Sequence, residues 1–360
     1  MRARGAPVRI EASAIARPLA FALLAYQLAV PALAAEKTDV LVLINGDKIT
    51  GEIEEMSYGQ LTYKTDHIGT LYVKWDKVVS LTTTQVLQIE LADGRRFFGQ
   101  APLTASTKAA LRLIITSEGV STPIEIAMSD IVRVATTDEG KPFFKRLDGS
   151  ISAGYSFTRA NSAGVANLSW DVGSRDRIRR WDVAFDGQVN SQSSAPTSQR
   201  AALIFSVERF MADRYYYESA LQFSRNEELG LDLRSLIGAT YGRYLVQQSG
   251  REWRAGAGLA ASREIDTAGE KRSNLEAQFT TSFRLFRLDF PKTNVIAVLT
   301  LLPSLNEWGR LRGEGVIKAR HEFLHDLFLE LALHDSYDNM PAEGAKSNDW
   351  SLTTSFGYSF

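Results

Sequence analysis

The stretch Trp350-Ser351-Leu352-Thr353-Thr354-Ser355-Phe356-Gly357-Tyr358-Ser359-Phe360, which ends the chain, decides the fold. Successive strand side chains point to opposite sides. Trp350, Leu352, Thr354, Phe356, Tyr358 and Phe360 therefore share one face, and Ser351, Thr353, Ser355, Gly357 and Ser359 share the other. The first face is large and mostly aromatic or aliphatic; the second is small and polar. A strand of a membrane-spanning barrel turns the first face to lipid and the second to its lumen.

The same period recurs upstream. Ile151, Ala153, Tyr155 and Phe157 oppose Ser152, Gly154, Ser156 and Thr158, and Leu275, Ala277, Phe279, Thr281, Phe283 and Leu285 oppose Asn274, Glu276, Gln278, Thr280, Ser282 and Arg284. Further alternating runs, with less regular ones near 163–173, 232–246, 252–263, 294–303 and 310–322, bring the expectation to about twelve antiparallel strands over residues 141–360. An even count puts both barrel ends on one side of the membrane. Short turns fall at Met211-Ala212-Asp213, Gln248-Ser249-Gly250 and Leu324-His325-Asp326, and longer loops at Ser191–Gln199, Asp266–Arg272 and Asn339–Asp349. Val295-Ile296-Ala297-Val298-Leu299-Thr300-Leu301-Leu302 is apolar on both faces, which implies either a packed plug inside or a different register.

Residues 1–35 read as a signal peptide: Arg2, Arg4, Arg9 and Arg17 lead an apolar run that Pro31 ends before the small-x-small site Ala32-Leu33-Ala34. That run is too short for a membrane-spanning helix. Export follows, and with it a cell outer-membrane location, with residues 36–140 in the periplasm. Lys+Arg 41 against Asp+Glu 42 leaves no basic excess, so nucleic acid is not an expected partner. Cysteine is absent, which excludes disulfides and thiolate metal sites.

Residues 36–140 read as a small β domain with an internal repeat, about 38–82 and 85–136. Asn45-Gly46-Asp47-Lys48-Ile49-Thr50-Gly51 returns as Asp93-Gly94-Arg95-Arg96-Phe97-Phe98-Gly99, and Trp75-Asp76-Lys77-Val78-Val79-Ser80-Leu81 as Met128-Ser129-Asp130-Ile131-Val132-Arg133-Val134. Asn-Gly and Asp-Gly suit tight hairpins that need positive φ. Two such copies resemble paired SH3-like or Sm-like barrels. Such a module binds a protein or glycan, or serves as a spacer; both readings stay open. Tyr58, Tyr63, Tyr72 and Trp75 are either a ligand surface or core.

The ending on Tyr358 and Phe360 resembles the C-terminal signal read by the barrel-assembly machinery, a partner during insertion alongside the outer-membrane lipids. With the turn Asn45-Gly46-Asp47-Lys48-Ile49-Thr50-Gly51 and the barrel opening Gly149-Ser150-Ile151-Ser152-Ala153-Gly154-Tyr155, it also resembles the family of unknown function numbered 481. Some members of that family are labelled salt-induced outer-membrane proteins. The resemblance implies location and fold and carries no catalytic residues.

Little in the chain suggests an enzyme. Twelve strands is the size of the outer-membrane phospholipase, and His334, Asp335 and Ser336 are consecutive. Neighbours on a strand point oppositely, so His334 and Asp335 cannot serve as base and orienter. His321 and His325 read as rim residues. No catalytic, cofactor or metal site is expected. The lumen is more informative: Asp182, Asp186, Glu208 and Glu218 fall inward on barrel strands three to five, Arg284 on strand eight, and Arg310, Arg312, Lys318 and Arg320 on strand ten. Acids facing bases across a bore would set a transverse field, as in a channel. Glu252, Arg254, Glu276, Glu314 and Glu330 blur the separation. The alternatives are a narrow passive channel or envelope-maintenance barrel, a closed anchor whose periplasmic domain docks a partner, and, last, an outer-membrane hydrolase.

Overall fold

The computed structural model describes residues 37–360 except 58, 103–109, 118–119, 137–146, 159–162, 177, 193–194, 249, 288–291 and 325. The signal peptide expected at 1–35, Tyr58 and His325 thus lie outside the described residues. No helix among the described residues is long and apolar enough to cross a membrane.

The first part is a β domain of nine strands: β1 (Asp39–Leu43), β2 (Lys48–Ser57), β3 (Gln60–Lys64), β4 (Thr70–Lys74), β5 (Val78–Leu91), β6 (Arg96–Ala101), β7 (Ala110–Ser117), β8 (Val120–Ala127) and β9 (Ile131–Thr136). The repeat is visible in the backbone. Gly46 and Gly94 sit at φ 92° and 86° in equivalent hairpins, where a side chain would be strained. One-turn 3₁₀ segments, Trp75–Lys77 and Met128–Asp130, precede the closing strand of each copy. Trp75 Nε1 donates to the Met128 carbonyl at 2.9 Å, so the two equivalent turns meet.

The expectation of paired separate barrels gives way to one interlocked unit. β5 runs unbroken from the first copy into the second, its first half pairing with β1 (Leu41↔Leu81) and its second with β9 (Ile89↔Val134). β9 also pairs back onto β2 (Met56↔Val134). Both copies therefore feed one core, including Leu41, Ile53, Met56, Leu87, Ile89 and Val134. Each such side chain stabilises the fold by roughly 1.5–3 kcal/mol through area removed from water. Tyr63 and Trp75 belong to this core; the Tyr63 hydroxyl donates to the Asp39 carbonyl at 2.6 Å. They are not a ligand surface.

The second part is a closed antiparallel barrel of twelve strands in sequence order. Its first six are β10 (Asp148–Thr158), β11 (Ala163–Arg175), β12 (Arg179–Gln192), β13 (Ala195–Phe210), β14 (Tyr215–Asn226) and β15 (Leu231–Gln248). The rest are β16 (Arg251–Asp266), β17 (Lys271–Arg287), β18 (Thr293–Pro303), β19 (Leu311–Leu324), β20 (Leu327–Asp338) and β21 (Asn348–Ser359). Leu259, Phe279, Leu331, Leu352 and Phe356 stand exposed on the outer wall, as a membrane-facing surface requires. The longest connections, between β18 and β19 and between β20 and β21, lie on one rim, but lengths do not alternate regularly: the expected loop Ser191–Gln199 is largely strand, since Gln192 pairs with Ala195, and the β17–β18 connection on the other rim is longer than that between β16 and β17. On β18, Leu302 points inward and packs with Leu236 and Ala260, so an apolar contact inside the wall itself explains that strand's double face.

The domain rests on the rim that carries the barrel's first and last strand ends. Glu90 joins them. It accepts from Arg96 Nη2 at 3.2 Å within the domain, and from Arg175 Nη2 at 2.7 Å and Gln247 Nε2 at 3.0 Å on the barrel. Arg96 and Arg175 both lie against the Phe210 ring, 4.6 and 4.2 Å from its centroid. The tip of the second hairpin abuts the rim so closely that a Cβ on Gly94 would meet the Arg214 backbone nitrogen at 2.7 Å. Tyr72 lies under Lys292, 4.4 Å from its ring centroid.

Candidate functional site

The bore is built from the small and polar faces of the strands. Glycines make the room: a Cβ on Gly242 would strike the Tyr216 ring at 2.4 Å and one on Gly256 its hydroxyl at 2.9 Å. Tyr216 thereby folds into the bore against Tyr244 and Phe210. Tyr244 donates to Glu208 at 2.6 Å, and Arg254 bridges Glu208 and Glu218 at 3.2 and 3.3 Å.

Every lumenal residue expected from sequence lies inside, but the charges do not face each other across open water. Arg310 holds Asp338 at 2.5 Å and Glu264 at 2.9 Å. Arg312, 1% exposed, clamps Glu276, 0% exposed, with two guanidinium nitrogens, and reaches Glu264 at 3.4 Å. Arg234 adds Glu264 at 2.8 Å and Glu314 at 3.5 Å. Arg320 binds Glu330, and Asp171 at 3.1 Å. Asp182 pairs with Arg180 on its own strand at 2.8 Å, and Arg284 lines the mouth beneath the domain beside its cross-strand neighbour Glu252. Of the acids on β12–β14, Asp182, Glu208 and Glu218 are therefore paired with nearby bases and not with bases opposite.

One set of contacts does span the bore. Asp186 on β12 meets Lys318 on β19 at 3.6 Å and His334 on β20 at 3.5 Å. Gln222 on β14 reaches Glu314 on β19 at 3.4 Å, and Asn226 reaches Asp349 at 2.9 Å. Asp186 lies between two vestibules. Asp182, two turns of the pleat below it, lines a cavity of about 410 Å³ at the domain end, and Gln188 and Asn190 above it line one of about 980 Å³ at the far end. The Asp186–Lys318–His334 contact crosses the bore between them. Arg234, Asp171, Glu264 and Asp338 were missed by the sequence reading; their inward register on period-two strands was the available signal.

His334 faces the bore while Asp335 lines a recess on the outer wall, so the consecutive pair is split across the barrel wall. No grouping of metal-ligating side chains occurs among the described residues.

The sequence model of the family described as protein of unknown function, DUF481, matches residues 151–360. The chain belongs to that family. In this DUF481 member the match spans the barrel from β10 to the last residue and leaves the nine-stranded domain outside it. A NanC porin structure aligns at TM-score 0.37 and 8% identity, covering 59% of this chain and 98% of that one. The translocator domain of the autotransporter NalP from Neisseria meningitidis aligns at 0.33 and 14%, covering 59% and 87%. These are likenesses of barrel form, and neither protein's activity transfers with them. No curated protein sequence matches the chain.

Proposed function

We propose that this DUF481 member is an outer-membrane anchor, its bore closed at rest, that presents its N-terminal β domain in the periplasm as an interaction module for a protein or glycan. The observation that carries the reading is the contact across the bore, where Asp186 meets Lys318 and His334, which we read as a septum; paired charges line the wall around it. A narrow barrel has little free bore to begin with. An apolar outer wall and a C-terminal aromatic strand favour the outer membrane, and the signal-peptide pattern read in residues 1–35 favours the periplasm for the domain. The reading is non-catalytic: His334 turns to Asp186, and Asp335 lies on the opposite face.

Single-channel recording in planar bilayers tests it. The wild-type protein is expected to pass no steady current. Arg312→Ala with Lys318→Ala would strip Glu276 of its cation and take one partner each from Glu264, which keeps Arg234 and Arg310, and from Asp186, which keeps His334; thermal stability should fall by about 3–5 kcal/mol while selectivity has nothing to act on. Steady current from the wild type, shifted toward cations by the double change at unaltered stability, would instead make the barrel a channel.

A further inference from the structure

The barrel closes unevenly. β10 joins β21 only through Ser150↔Ser359, Ile151↔Tyr358, Ser152↔Gly357 and Ala153↔Phe356, with Gly149 and Phe360 exchanging backbone bonds below them. Each strand's other ladder is complete: β10 pairs with β11 up to Thr158↔Ala163, and β20 with β21 up to Tyr337↔Asn348. Beyond Ala153 and Phe356 the two edges part. Gly154 marks the apex of the wedge, where a Cβ would meet the Thr354 carbonyl at 2.1 Å and the Asn167 amide at 2.6 Å. Through that gap in side-chain bulk Asn167 reaches past β10 to donate to Ser355 at 2.5 Å.

The 980 Å³ cavity occupies this wedge. Its wall mixes residues of both faces: Asn167, Gln188, Asn190 and Ser351 from the lumen, Tyr155 and Leu352 from the membrane side. Tyr155 is 72% exposed and Trp350 67%. Backbone edges left open to hydrocarbon are costly, so such a gap persists only where polar groups or water line it. Arg200 projects into the recess, and among the described residues its one polar contact is Ser351 at 3.3 Å. Elsewhere in the bore the arginines hold carboxylates; here the guanidinium bonds a hydroxyl, and the two carboxylates that line the same recess, Glu228 and Asp349, are engaged by Lys346 and Asn226.

We propose that the β10–β21 seam is a lateral portal that binds a membrane amphiphile with an anionic, phosphate-type head. The head sits against Arg200, Gln188, Asn190 and Ser351, and the chain leaves between Tyr155 and Leu352 into the bilayer. A guanidinium recognises phosphate oxygens by paired charge-assisted bonds, and the neutral amides serve the remaining oxygens. The wedge tapers to contact at Gly154, which suits a single tapered molecule and not an added strand, whose ladder would need a parallel-sided slot. The portal rests on the reading of the barrel as membrane-embedded, but not on the closed septum. A conducting bore would therefore refute the septum and leave the portal standing.

The test uses full-length protein in dodecyl maltoside micelles, with native mass spectrometry following retention of added monododecyl phosphate. One molecule should be retained by the wild type, about tenfold more weakly by Arg200→Gln, and to an intermediate degree by Arg200→Lys, which keeps the charge but loses the paired bonds. Inorganic phosphate alone should not be retained. Ser156→Trp, which fills the recess, should also abolish retention; if it fails to fold, Arg200→Gln decides. Equal retention by Arg200→Gln and the wild type would overturn the proposal, because the amphiphile would then be bound by the outer wall at large. Equal retention of inorganic phosphate would overturn it too, leaving an anion site without a portal.

Discussion

Two buried carboxylates of the N-terminal domain show how partners, more than burial, set the behaviour of a charge. Burial pushes Asp39 above its ordinary 3.8, because what it meets is neutral, chiefly Thr83 and the Ile53 amide at 2.9 Å. Burial pushes Glu90 up as well, but Arg175 foremost, then Arg96 and the Gln247 amide, outweigh it and hold the carboxyl below 4.5. The pH consequences are opposite. Asp39, raised in the folded state, favours folding most below its unfolded value, and that contribution is lost as pH rises through the folded one. Glu90, lowered in the folded state, contributes at neutral pH and loses that contribution as pH falls through its folded value. Since Arg175 and Gln247 belong to the barrel, Glu90 also measures docking. Glu90→Gln should destabilise the docked domain by about 3 kcal/mol, on the order of 10 °C in its melting step in detergent at pH 7. The loss should shrink as pH falls through the lowered titration of wild-type Glu90, where the carboxyl takes up its own proton. An unchanged melting step at pH 7 would mean the Arg175 contact contributes nothing.

At the scale of elements, alternation is a local property and was legible. The inward register of Asp182, Asp186, Glu208, Glu218, Arg310, Arg312, Lys318 and Arg320 follows from counting by two along each strand. Their partners did not follow, because which residues share a level in the bore depends on the stagger between strands around the ring, and no single strand encodes it. Hence Lys318 finds Asp186 across the bore, whereas Arg312 turns to Glu276, two strands away. The interlocked repeat was hidden for a related reason: nothing in either copy says that β5 will be shared. The terminal strand carries the clearest consequence. With the upper seam unpaired, β10 and β21 depend on their lower ends, where Gly149 donates to the Phe360 carbonyl at 3.0 Å and Phe360 to the Gly149 carbonyl at 2.9 Å. Deleting Phe360, or Phe360→Asp, removes an aromatic anchor and loosens that short closure. The variants should accumulate as soluble, degraded protein, with outer-membrane levels and heat-modifiable gel mobility reduced at least tenfold. Normal membrane amounts of the deletion would show that closure does not depend on this residue.

Across the whole molecule, the two parts meet through few side chains yet keep separate interiors. The domain's core, from Leu41 to Val134, draws on no barrel residue, and the barrel's interior is a lattice of charges that needs no domain to neutralise it. Among the described residues the contacts include Glu90 with Arg175 and Gln247, the Gly94 hairpin tip against Arg214, the Arg96–Phe210 stack, and Tyr72 with Lys292. Interfaces of that kind join units that fold independently. Residues 36–140 expressed alone should therefore give a β-type circular dichroism spectrum and melt cooperatively, with an enthalpy of roughly 60–80 kcal/mol for a domain of about 100 residues. Its melting point should lie below that of the domain within the full chain by the docking contribution. In the fragment Glu90→Gln should cost much less than in the full chain, since Arg96 is then the main partner left unpaired. A random-coil spectrum would mean that the core assembles only against the barrel rim. Equal effects of Glu90→Gln in fragment and full chain would place the residue's role inside the domain and leave the docking to the Phe210 stack and the hairpin tip.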